Sequence, residues 1–396
     1  MPHIRPIAAI LMFGIAVACP LQALATFPDA HPFRITHRGS IAMPPTAQDR
    51  DGKVVEISGL SGITWLGHDR YAAIMDNSDK LILFSLAIAR DGTPQEATDI
   101  EVVTLSEVHD YEDIAVCPEP LQQRIAARRV KQGFPDPGRC ILVCEEDTPA
   151  IRAASLEDGS LLGVIPIPEL FATRTLNRGL ESLDIDPDGR HIWTANEEAL
   201  PADGPGATAS TGTVVRLTRV AIPEPGQQGL EEPIQVAYAV DPPHHFVRVF
   251  PGDPLSGVSA ITGLGEGRLL VLERAGCPGL PPFESRIFFV DTKTGADATN
   301  IASDLSAQTD EHIAKALVWK DQLGCNIEGL CVGPRLGSDT RALIAVADNG
   351  GLGTPNQVIG FTLEDHNGGF HVPLVAFGGA AALAAVLGLL MYRLAR

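Results

Sequence analysis

The sequence predicts an all-β protein, a β-propeller, and three observations predict it. A short segment with Ser or Glu near its head recurs five times: GLSGIT at 59–64, YEDIAV at 111–116, GLESLDI at 179–185, GVSAIT at 257–262 and NIEGLCV at 326–332. Each opens a strand-like run, and a second such run follows that ends in acid: Asp76-Asn77, Glu145-Glu146-Asp147, Asn196-Glu197-Glu198, Glu273-Arg274 and Asp348-Asn349. Tight connections such as LGHDR (66–70), DPDGR (186–190) and GEGR (265–268) join the two runs, so each pair reads as an antiparallel hairpin. A unit of this length is too long for a solenoid turn and suits one small sheet with its loops.

Taken in chain order, 1–25 reads as an export signal, with His3 and Arg5 before an apolar stretch and Ala23-Leu24-Ala25 as the cleavage site. Residues 26–55 are expected to supply a lead-in strand that closes the ring. Units begin near 56, 107, 177, 255 and 323. The runs 80–88, 213–220, 234–240, 286–290 and 357–363 are expected as outer strands, and 303–320 as a short helix. Five units are visible; a sixth blade is expected from 26–55 and 357–364, so six blades are preferred, with seven as the alternative. Residues 26–371 then form one propeller domain. The 20-residue uncharged run 372–391 is long enough to cross a bilayer, and Arg393 and Arg396 in the tail 392–396 place that tail in the cytoplasm. The expected product is an exported monomer, anchored by this C-terminal helix with its propeller in the periplasm or on the cell surface.

Composition narrows the function. The formal charge is −19, more negative still once the arginines at the two ends are set aside, so nucleic acid and anionic lipid are repelled. Aromatic residues make up 5 % of the chain, too few for base-stacking platforms. Six cysteines follow the signal, an even number that favours disulfides in an oxidising compartment; Cys117 and Cys140, flanking a long insertion, are the candidate pair.

Hairpin geometry places the head of each first strand beside the tail of its partner, so one rim should gather carboxylates. Unit charges 4 Å apart repel by roughly 4 kcal/mol at an effective dielectric near 20, and hard divalent ions, Ca2+ or Mg2+, relieve such crowding. The candidate metal ligands are Glu112, Glu181, Glu328, Asp76, Glu145, Glu198, Glu273 and Asp348, with Glu112, Glu181 and Glu328 also the catalytic candidates. Arg178, Arg274 and Lys80 are candidates to bind an anionic substrate, since arginine recognises phosphate bidentately. Ser61 and Ser259 are not nucleophile-elbow serines: Ile63 and Ile261 stand where that turn needs glycine. A repeated Glu can instead order the ring by accepting backbone hydrogen bonds.

The chain resembles the phytase-like family, described as "esterase-like activity of phytase", over about 56–364. The resemblance rests on GLSGITW with RYAAIMDNS, YEDIAV, NRGLESLDIDPDGRHIWTANEEAL, SGVSAITGLGEGRLLVLER, SRIFFVD and NIEGLCVGPRLGSDTRALIAVADN, in that order. It implies an envelope-facing propeller with a phosphoester-hydrolase role and calcium on one face. The phosphate-binding signatures of characterised β-propeller phytases, Asp-Ala-x-Asp-Asp-Pro-Ala and Asn-Asn-x-Asp-Ile-Arg, are both missing. The expected activity is metal-assisted hydrolysis of a small phosphoester or ester. The alternatives are a non-catalytic binding module and a lactonase-like metal hydrolase.

Overall fold

A computed structural model describes residues 32–175, 178–222, 231–307, 312–321, 323–348 and 355–366. Within them the chain forms five four-stranded antiparallel sheets. Blade I comprises Leu60–Gly67, Arg70–Met75, Lys80–Ile88 and Pro94–Thr104; blade II comprises Tyr111–Val116, Cys140–Glu145, Ala150–Ser155 and Leu161–Ile165. Blade III comprises Leu180–Ile185, His191–Asn196, Val214–Ala221 and Ile234–Ala239; blade IV comprises Leu255–Gly265, Arg268–Gly276, Phe283–Asp291 and Lys315–Asp321. Blade V takes Asn326–Arg335, Thr340–Asp348 and Gln357–Asp365 from the end of the fold and Phe33–Ala42 from its beginning.

The first strands of the blades pack against one another in the circular order I, II, III, IV, V and back to I. The core agrees with a count of five. The apolar core is divided into wedges, one between each neighbouring pair of blades: for example, Leu270, Leu272 and Trp319 of blade IV meet Leu343 and Phe361 of blade V. Likewise Trp193 and Tyr238 of blade III meet Val258 and Val271 of blade IV. Such strands are buried on both faces, which is why the second strands read as continuous apolar runs with no alternation. The preferred count of six is therefore corrected to five. The segments assigned to a sixth blade are the two outer strands of blade V, paired from Phe33↔Asp365 to Ala42↔Gln357. The lead-in strand does close the ring, as the sequence predicts.

Near the axis the strands approach closely. A Cβ on Gly62 would lie 2.4 Å from Asp113 Oδ1, and one on Gly329 would lie 2.8 Å from Ser61 O, so larger residues would force neighbouring blades apart. Two aspartates, Asp113 buried and Asp184 half-buried, lace the same strands together. Asp113 accepts from Ile114 N–H and, across the blade boundary, from Leu183 N–H, both at 2.8 Å. Asp184 accepts from Thr262 Oγ1–H and Gly263 N–H, both at 2.7 Å. The ring-ordering role foreseen for the repeated Glu thus falls to these aspartates.

Two departures concern local structure. The expected helix at 303–320 is a 3-10 turn at Leu305–Ala307 followed by the strand Lys315–Asp321, whose Trp319 belongs to the core. The one α-helix among the described residues, Glu119–Lys131, fills the insertion of blade II. Pro near its N-terminus, Glu119 in its first turn and Arg128, Arg129 and Lys131 in its last complement the helix dipole. The disulfide expectation is also corrected. Cys117 and Cys140 are both free: Cys117 Sγ faces Pro118 O and Cys140 Sγ faces Gly138 O, while their strands are joined by a backbone bond, Cys117 N–H to Cys140 O at 3.1 Å. No helix among the described residues is long and apolar enough to cross a membrane. The export signal at 1–25 and the apolar run at 372–391 lie outside the described residues.

Candidate functional site

Every first strand carries a register shift at its repeat residue: between Leu60 and Gly62, Tyr111 and Asp113, Leu180 and Ser182, Val258 and Ala260, and Ile327 and Gly329. The skipped residues are Ser61, Glu112, Glu181, Ser259 and Glu328. A β-bulge adds one residue against its partner strand and re-aims that side chain. Here the five bulges turn the repeat residues toward one mouth of the ring. Ser61 Oγ–H donates to Glu112 Oε2 at 2.9 Å across the boundary of blades I and II. Glu112 also feels the charge of Glu328, although blades II and V are not neighbours, so that interaction crosses the axis.

One guanidinium sits among these acids. Arg274 of blade IV reaches Glu197 Oε1 at 2.5 Å and Glu181 Oε1 at 3.6 Å in blade III, and Glu328 and Asn326 in blade V, the latter at 3.2 Å. Arg178 pairs with Glu197 at 2.5 Å and with Glu198 at 3.4 Å. Asp76, Asp110 and Glu112 each offer an oxygen within 4.8 Å of the others'. Asp110 Oδ1 is buried without a hydrogen-bond partner.

The electrostatic result is a set of carboxyls that resist ionisation. Burial pushes Glu112 well above the usual range, helped by Asp76, Glu328 and Glu146; burial and then Glu112 and Glu197 do the same to Glu181. Burial raises Glu328 to about 7 against the opposing pull of Arg274, Glu146 to about 7, and Asp110, with help from Asp76, to about 6. Burial also raises Glu198. For Arg274, burial opposes the charge, but Glu328, Glu197 and Glu181 outweigh it and keep the guanidinium protonated.

The structure thus brings together Glu112, Glu181, Glu328, Asp76, Glu198, Arg178 and Arg274, with Asp348 close enough to raise Glu328. It places three other candidates elsewhere. Glu145 pairs with Arg152 and with His109 at 3.3 Å; Glu273 accepts from Tyr238 Oη–H at 2.7 Å and Lys315 Nζ–H at 2.5 Å; Lys80 is held by Asp79 at 2.6 Å. Successive side chains alternate across a strand, so it is Glu146 and Arg274, one residue later, that reach the mouth. Sequence reasoning overlooked Asp110. Its signal was an acid two residues before Glu112, outside the repeat.

The fold and site define a five-bladed β-propeller with a carboxylate-rich axial mouth. The chain belongs to the phytase-like family, described as esterase-like activity of phytase, whose model matches residues 55–351. No curated protein matches it significantly. Among solved structures it is similar to hydrazine synthase of Kuenenia stuttgartiensis, at 10 % identity and a TM-score of 0.31 over 76 % of this chain and 79 % of that one. It is also similar to a chain of the Chaetomium thermophilum Polycomb Repressive Complex 2 bound to GSK126, at 9 % identity and a TM-score of 0.35 over 78 % and 70 %. Likenesses at this level carry no argument about function.

Proposed function

We propose that the chain is a metal-assisted hydrolase of phosphoesters or esters acting at the axial mouth. The observation that carries this reading is the trio Asp76, Asp110 and Glu112, whose oxygens lie within 4.8 Å of one another beside two further bulged glutamates. The donor set is all oxygen, and the unpartnered Asp110 Oδ1 is an acceptor that a hard cation satisfies, so the residues fit Ca2+ or Mg2+. Bound there, such an ion supplies countercharge to an anionic substrate, polarises its oxygens and acidifies a bound water. Asp76, Asp110 and Glu112 would hold the cation; Glu328 and Glu146, whose carboxyls burial raises to about 7 in the metal-free site, lie beside it as the candidates for general acid or base. Arg178 and Arg274 keep Glu181, Glu197 and Glu328 oriented around the mouth. Export and anchoring through 1–25 and 372–391 complete the proposal and place its substrates outside the cytoplasm.

The test is hydrolysis of p-nitrophenyl phosphate and p-nitrophenyl esters with calcium or magnesium and after chelation, in the wild type and Glu112→Gln. Cleavage that EDTA abolishes and added cation restores supports the reading; cleavage indifferent to both overturns it. One observation favours a second reading, a non-catalytic module that binds a cationic partner. Both mouth arginines proposed to hold an anion are already occupied by carboxylates. Absence of any ester cleavage, together with saturable binding of a cationic peptide, would favour it.

A further inference from the structure

A second group of ligand atoms lies far from the mouth, in the turn between the first two strands of blade III. Asp186, Asp188 and His191 each offer one atom within 4.8 Å of the others'. Backbone bonds close this turn: Gly189 N–H donates to Asp186 O at 2.7 Å and Asp186 N–H to His191 O at 2.9 Å. The first strand of blade III runs from the mouth at Leu180 to Ile185, so the turn sits on the opposite face of the ring.

Asp186 supplies the independent observation. It is 3 % exposed, its Oδ1 is buried without a hydrogen-bond partner, and its Oδ2 faces His191 Nδ1 at 3.4 Å. By contrast, the buried Asp113 and the half-buried Asp184 are satisfied by N–H donors from neighbouring blades. Asp186 has no such donor among the described residues, and a buried carboxylate left this way is costly unless something cationic completes it. Asp188, exposed, uses Oδ1 to accept from Arg190 N–H at 2.9 Å. His191 is partly exposed, so the group is closed on its Asp186 side and open to solvent on the other.

We infer that Asp186, Asp188 and His191 form a site for a divalent transition-metal ion of the Mn2+ or Zn2+ class, with water completing the coordination. Two carboxylate oxygens and one imidazole nitrogen suit these ions, whereas Ca2+ prefers six to eight oxygens. The site is chemically distinct from the all-carboxylate mouth. Asp186 lies against Gly263 of blade IV and Gly189 against Pro118 of blade II, so an ion here pins the turn that both neighbours touch.

The experiment titrates Mn2+ into the full chain, following free Mn2+ by electron paramagnetic resonance and stability by thermal melting. It compares the wild type, His191→Gln, the double variant Asp188→Asn/His191→Gln, and the mouth variant Asp76→Asn/Glu112→Gln. The two turn substitutions fall on exposed or partly exposed side chains, and melting without metal confirms folding. Expected is one fewer bound ion in the double variant, affinity about tenfold weaker or worse in His191→Gln, and retention of this ion in the mouth variant. Equal stoichiometry and affinity in the wild type and both turn variants overturns the site, as does loss of all Mn2+ binding in the mouth variant.

Discussion

Arg216 and Arg274, two of the arginines buried among the described residues, have surroundings that differ in a way that separates a closed structural centre from an open one. Arg216 forms a bidentate pair with Asp203, with Nε to Oδ2 at 2.7 Å and Nη2 to Oδ1 at 2.5 Å, both side chains wholly enclosed. Gln235 Oε1, Ala298 O and Ile301 O take its other hydrogens, so one guanidinium ties two long loops to blade III. Arg274 instead confronts Glu181, Glu197 and Glu328 at once, and its Nε is buried without a partner. The first centre is balanced in charge and complete in hydrogen bonds. The second carries more carboxyls than its one guanidinium can pair, as expected where a site keeps capacity for something not made of protein.

The largest effect should come from unbalancing the balanced centre. Asp203→Ala leaves the buried Arg216 without its counter-ion, at a cost of about 3–5 kcal/mol in urea unfolding; a loss under about 1 kcal/mol would erase the contrast. Arg274→Leu should cost less, about 2–3 kcal/mol near pH 8, because the carboxyls left behind can take up protons instead. Its penalty should shrink near pH 5.5.

The sign of the pH dependence sharpens the comparison further. Glu328 and Glu146 near 7 and Asp110 near 6 lie above their unfolded values, so the native state binds protons that the unfolded state releases. Without divalent cation, stability from these groups should rise as pH falls from about 7 toward about 4.5, and calcium should flatten that slope; a Tm series with and without EDTA reads both. Replacing one of the crowded, buried mouth carboxyls should be mildly favourable: Glu112→Gln is expected to gain about 0.5–1 kcal/mol while losing cation binding. Ser259→Ala should be smallest, within about 0.5 kcal/mol, since its bond to Ile327 O is long at 3.3 Å.

Much of this was legible in the sequence. Five recurrent hairpins became the first two strands of five blades, and the runs at 80–88, 213–220, 234–240, 286–290 and 357–363 fall on outer strands. The blade count went astray because strand patterns do not say which sheet a strand joins; only the register of Phe33–Ala42 on Gln357–Asp365 assigns both to blade V. At the mouth, the repeat named Glu112, Glu181 and Glu328 but concealed the bulges that aim them, which exist only relative to a partner strand. The acid at each second strand's end was ambiguous by one residue, and alternation chose Glu146 over Glu145 and Arg274 over Glu273.

Because Phe33 and Asp365 stand opposite each other in one sheet, the fold has no preferred starting point. A chain spliced there by a short linker and reopened within the helical insertion at 118–139 would keep all five sheets, their wedges and the bulged glutamates. Circular permutation then becomes a means of moving the termini around the rim, letting a reporter be fused beside any blade without disturbing the carboxylates at its centre.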